Sequence, residues 1–167
     1  MKTMTKKHRW SCTTASLAMI LEEPEENIFD EIGHDGSRMI DPQMPEPLGR
    51  VGFHPQEIID YCLAAGYSAT PYQVLPCSLV AGIEVPIENE YRIDRFVRHL
   101  QFAEGVVFCR TVNDRHHAMA FSKGEVVDPD TARVIDLRGC EDNDQVFKMF
   151  ADYGFYPLEI LIVEKMV

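Results

Sequence analysis

The chain has 167 residues, 46% hydrophobic and 26% charged, which is the size and composition of one folded domain and argues against a disordered or multidomain chain. Lys and Arg total 16 against 27 Asp and Glu, so the formal net charge is -11. That balance is the reverse of what a general nucleic-acid or anionic-membrane binder carries, and the Lys2, Lys6, Lys7, Arg9 cluster is its one local exception.

No apolar run approaches the roughly 18 to 20 residues that span a bilayer. The start, MKTMTKKHRWSCTTASLAMIL, has basic residues before an apolar stretch, but that stretch is short and runs into Glu22 and Glu23, so it reads as mature sequence and not as a signal peptide. Five cysteines, Cys12, Cys62, Cys77, Cys109 and Cys140, form no CxxC pair, which points away from a disulfide framework or zinc ribbon and toward a reducing cytoplasm.

In chain order, Cys12 to Leu21 is apolar nearly all round and predicts a buried first helix. Pro24 suits the first turn of a second, acidic helix carrying Ile28, Phe29 and Ile32, stopped by Gly33. From Gly33 to Phe53 the run GHDGSRMIDPQMPEPLGRVGF has no period and predicts a long loop. His54-Pro55 opens a third helix that Gly66 closes, with Cys62 on its apolar face, and Tyr67 to Val74 reads as extended. Ile93, Phe96, Val97 and Leu100 mark a fourth helix. Strands follow at GVVFCRTV, HHAMAFS and EVVDP, the last two joined by a tight Lys123-Gly124 turn, with a further strand over Ala132 to Leu137. Val146, Met149, Phe150 and Tyr153 make a last helix before an apolar strand from Leu158 to Val163. The order, helices first and an antiparallel sheet afterwards, is an α+β layout in a single domain over 1–167.

Two segments carry chemistry when read together. Cys12 stands where a loop enters a buried helix, and the open amides and dipole of a helix N-terminus favour the thiolate there. A thiolate nucleophile needs a base, and an imidazole base needs a group to hold its tautomer. His117 begins one arm of the predicted hairpin and Asp128 ends the other, so the turn at Lys123-Gly124 brings them side by side. His116 competes with His117, and strand alternation lets only one of them face Cys12.

These motifs resemble the papain-like cysteine peptidases, most closely the bacteriocin-processing, double-glycine-leader branch and its stand-alone relatives. Cys12 with the run Ala15 to Ile20 matches the family's nucleophile helix, and His117 and Asp128-Pro129 match its His opening a strand and its Asp-Pro ending the next. The resemblance favours His117 over His116. It implies a papain-like fold, N-terminal helices packed on a C-terminal antiparallel sheet, and a Cys12-His117-Asp128 triad acting on a peptide or small acyl substrate. It implies no cofactor. Two positions depart from the family: Thr13 stands where a Gly follows the Cys, and no Gln or Asn precedes Cys12 to help form an oxyanion hole. The remaining donors are the Cys12 backbone N–H with Lys6 or His8; with no hole, the chain would be a weak or inactive papain-like module that binds a peptide or partner protein.

His34, Asp35 and His54 bracket the long loop. They read either as turn and helix-cap residues or as a polar rim for a substrate channel. A metal site built from them with His116 lacks any HxxxH or HxH spacing, and no metal is expected. The acidic runs Glu22 to Glu26 and Glu141 to Asp144 read as solvated helix faces, and Cys62, Cys77, Cys109 and Cys140 as structural.

Overall fold

The computed structural model describes residues 1–38, 43, 52–74, 77–80, 83–86 and 91–167. Its elements in chain order are α1 (Cys12–Leu21), α2 (Glu25–Ile32), α3 (Pro55–Ala64), β1 (Tyr67–Gln73), β2 (Cys77–Val80), β3 (Ile83–Pro86), α4 (Arg92–Phe102), β4 (Glu104–Thr111), β5 (His116–Ser122), β6 (Glu125–Val127), β7 (Val134–Asp136), α5 (Asn143–Asp152) and β8 (Phe155–Lys165). Six strands form one sheet in the order β1-β8-β4-β5-β6-β7, antiparallel throughout, so the fold is α+β.

The helices lie on both faces of this sheet, which the expectation of N-terminal helices on a C-terminal sheet captures only for α1 to α3. Their apolar side chains meet Val106, Ala118, Leu161 and Val163. The other face, with Val107, Met119, Phe121, Ile160 and Ile162, packs against Phe96 and Leu100 of α4 and Val146 and Phe150 of α5. Successive side chains of a strand point to opposite faces, so the unbroken apolar run Ile160 to Val163 is what a strand covered on both sides requires. On β5 the small Ala118 and Ala120 face α1, whose own Ala15 and Ala18 are fully buried, and this lets the helix lie close to the sheet.

Three local differences stand out. Pro24 is the N-cap of α2, one place before its first turn, because its extended backbone (ψ 139°) leads into the helix. The strand at the C-terminal end is longer than its apolar run, reaching Phe155 and Lys165 through pairing with β1 and β4. A small antiparallel hairpin, β2 with β3, escaped the sequence reading. Of the long loop expected over 33–53, residues 39–42 and 44–51 lie outside the described residues.

Candidate active site

Cys12 is set by the helix that carries it. Residues Thr14 to Met19 of α1 are all buried, so the helix is fixed in place and Cys12, its first residue, is held half-buried at its open end. Ser11 lends no side-chain oxygen to the first turn, because its hydroxyl is engaged with His8, accepting from the His8 amide and donating to its carbonyl at 3.2 Å each. The amides at the start of α1 therefore keep their partial positive charge for whatever stands beside Cys12. Glu25, 2% exposed, braces this end from α2, accepting the Thr14 hydroxyl at 2.8 Å and the Lys7 amide at 3.3 Å. That corrects the reading of Glu22 to Glu26 as a wholly solvated face.

His117 and Asp128 come together where two strands part. β5 and β6 meet through a two-residue turn in which Lys123 and Gly124 both have positive φ (48° and 87°), the type that matches hairpin twist. Their last paired residues are Ala120 and Val127. One step further the register would set Asp128 opposite Met119, with His117 its diagonal neighbour on the same face, a separation that long side chains bridge. His117 Nε2 and Asp128 Oδ1 are 2.8 Å apart, with the residues 8% and 5% exposed. Asp128 Oδ1 also accepts the Asp130 amide at 2.9 Å, and Oδ2 accepts the Thr131 hydroxyl at 2.7 Å. A carboxylate so supplied with donors accepts and does not donate, so Nε2 carries the proton and Nδ1 is left for the thiol. The Phe155 ring stacks on the imidazole at 5.4 Å. It is brought there because Pro157, two residues on, shares the Cys109 position of the ladder that also holds His117.

The third link joins the two halves: the groups that act on the Cys12 thiol are the His117 imidazole and the Ala118 amide of β5. Alternation along β5 puts His117 on the α4 and α5 side, the side of Met119. At His117 only β4 still flanks β5, since the β5–β6 ladder ends at Ala120 and Val127, and it is across this open edge that Cys12 and the imidazole act on one another. His116 is exposed.

Burial pushes the Cys12 thiol up, but the hydrogen bond and charge of His117, with the Ala118 amide and the charge of Lys6, outweigh it and bring the thiol below its ordinary value. Burial likewise opposes charge on His117, and the bonds to Asp128 and Cys12 overcome it, pushing the imidazole up to about 9. Burial would raise Asp128 too; His117, Thr131 and the Asp130 amide hold it down to about 2. All three shifts favour the thiolate–imidazolium–carboxylate state. The other described thiols go the opposite way: burial raises Cys62 to about 11, raises Cys109 further, and with Asp142 and Asp136 raises Cys140. The Cys77 side chain lies outside the described residues.

His34, Asp35 and His54 form a separate cluster. His54 caps α3, its Nδ1 accepting the Gln56 amide at 3.1 Å. His34 Nε2 meets Glu57 Oε1 at 3.0 Å while Nδ1 accepts the Gly36 amide at 3.0 Å, and Asp35 Oδ1 accepts the Ser37 amide. None of them is among the groups bearing on the thiol, which are His117, Ala118 and Lys6. They do touch the segment entering α1, since the Trp10 indole N–H donates to the Asp35 carbonyl at 2.9 Å and the His8 ring stacks on Trp10.

Sequence reasoning missed Glu25, Thr131, Phe155 and the Lys6–Asp130 ion pair. Thr131, placed three residues after the Asp of an Asp-Pro turn, is the one with a local signal. Among the described residues, His117, Asp128 and Asp130 alone bring His, Cys, Asp or Glu ligand atoms close enough for a cation, within 4.8 Å of one another. Each is already engaged, His117 with Asp128 and Asp130 with Lys6. A cleft of about 160 Å³ bordered by Asp128, Arg133, Tyr153 and Phe155 adjoins the carboxylate end of the line. A larger one of about 360 Å³, between α4 and the start of α5, shares no residue with it. No helix of the described residues is long and apolar enough to cross a membrane. No protein-family model matches the chain, and no curated protein matches it either.

Proposed function

We propose that the protein is a papain-like thiol hydrolase or acyltransferase working through Cys12, His117 and Asp128. The observation that carries this reading is the buried His117–Asp128 hydrogen bond, with the half-buried Cys12 thiol acted on by that imidazole and lowered by it. The Cys12 thiolate adds to the carbonyl carbon of an amide, ester or thioester, forming a C–S bond and a tetrahedral oxyanion. The Cys12 backbone N–H, at the helix start that Ser11 leaves without a side-chain cap, donates to that oxygen in this reading. As the bond to the leaving amine, alcohol or thiol breaks, His117 gives it a proton. Water, or an acceptor amine, then attacks the acyl-enzyme thioester and returns its proton to His117, regenerating the thiolate. Asp128 keeps the Nε2 proton and the ring plane fixed throughout. The resemblance makes peptide hydrolysis the first expectation, and the free thiols among the described residues suit a reducing, cytoplasmic setting.

Mass spectrometry after brief mixing with an activated ester tests the reading: the acyl adduct should sit on Cys12 and decay with turnover. No adduct on Cys12, with the fold intact, refutes it. The absence of Gln or Asn before Cys12 favours a second reading, a catalytically weak module that binds a peptide or partner. An adduct that forms but does not turn over supports that one.

A further inference from the structure

The ion pair beside the triad joins its two halves. Cys12 is presented by the turn ending at Ser11, and Asp128 by the loop leaving β6. Among the described residues no strand ladder runs between those segments, and Lys6 bonds to both. Its amide donates to the Pro129 carbonyl at 2.9 Å, and its ammonium reaches Asp130 Oδ1 at 2.5 Å and the Arg9 carbonyl at 2.9 Å. The Asp130 amide in turn holds Asp128 Oδ1. The Lys6 side chain is only 16% exposed, so its charge is screened far less than that of a surface lysine.

We propose that Lys6 is a positioning residue of this site: through Asp130 and the Arg9 carbonyl it locks the turn carrying Cys12 to the loop carrying Asp128, and its ammonium adds to the positive charge that bears on the thiol. The inference rests on the thiolate–imidazolium reading above. The charged groups bearing on the thiol are His117 and Lys6, and those bearing on the imidazole are Asp128, Cys12 and Asp130. Lysine is suited to this because three N–H donors on a flexible stem can hold two oxygens and still present charge to a third group.

The test uses the full chain and needs no substrate. Iodoacetamide labelling of Cys12, followed by peptide mapping across pH 5 to 10, is compared for the natural protein, Lys6→Gln, Lys6→Met and Lys6→Arg, with thermal unfolding of each in parallel. Both uncharged variants should move the labelling midpoint up by roughly half a unit to one unit, lowering the rate at pH 6.5 about three- to tenfold, and Lys6→Arg should restore most of it. Lys6→Met stands in if Lys6→Gln does not fold. A midpoint unmoved in the uncharged variants, whatever happens to their melting temperature, overturns the proposal and leaves Lys6 a structural tie. A natural protein whose Cys12 labels like a free thiol defeats the underlying reading instead, so the two failures are distinct.

Discussion

Replacing Asp128 by Asn isolates what its charge does for the dyad. The substitution keeps the shape and leaves Oδ1 free to accept from His117 Nε2, while the Thr131 hydroxyl can rotate to accept from the new amide. The imidazole, ordinarily near 6.5, is pushed up to about 9 in the intact site, which amounts to roughly 3 kcal/mol in favour of the imidazolium. Burial opposes that charge; the hydrogen bond to Asp128 does most to overcome it, and Cys12 comes next. Asp128→Asn should therefore drop the His117 titration by about one to two pH units. The Cys12 labelling midpoint should rise by less, since Asp128 reaches the thiol only through the ring. NMR of the imidazole Cε1–H across pH 5 to 11, beside iodoacetamide labelling, reads both groups on one sample. An unmoved His117 titration in a folded Asp128→Asn protein would refute the argument that the carboxylate sustains the ion pair.

His117→Ala should abolish turnover while His116→Ala, an exposed site, leaves most of it; equal losses would show the register wrong by one residue. The rate of the intact protein should have an alkaline limb near pH 9, where the imidazolium loses its proton, and an acid limb below the ordinary thiol value, both read from kcat/KM against pH. Because Asp128 is depressed from 3.8 to about 2 on folding, its stabilisation is complete above pH 3.8 and is lost as pH falls through about 2, so acid unfolding over that window should be shallower in Asp128→Asn. His54→Ala should cost about 1 kcal/mol in denaturant titration as a lost helix cap, and unchanged stability with a raised KM would instead favour the channel-rim reading. Gly105→Ala should be among the most damaging substitutions, about 3 kcal/mol, because a Cβ there would fall 1.9 Å from the Leu161 carbonyl oxygen.

Local chemistry determined most of the elements. Helix α1 is legible because ten residues from Cys12 carry no charge, and the hairpin is legible because Lys123-Gly124 interrupts two β-branched and apolar runs. Those same features place a thiol at a helix start and pair His117 with Asp128, since the turn alone sets their register. The run Ile160 to Val163 even contained the sign that both sheet faces are covered. What only tertiary structure decided is how segments distant in the chain meet. The capping role of His54, the aromatic face of Phe155 on His117 and the Glu25 brace beneath Cys12 each depend on elements whose approach no period or motif encodes. Alternation along β5 alone would have given the α1 side to His116. The site forms with His117 because the β5–β6 ladder ends at Ala120 and Val127, opening a gap at which a helix end, a strand edge and a loop converge. Where the ladder stops depends on the packing around it, and that packing is a property of the whole fold.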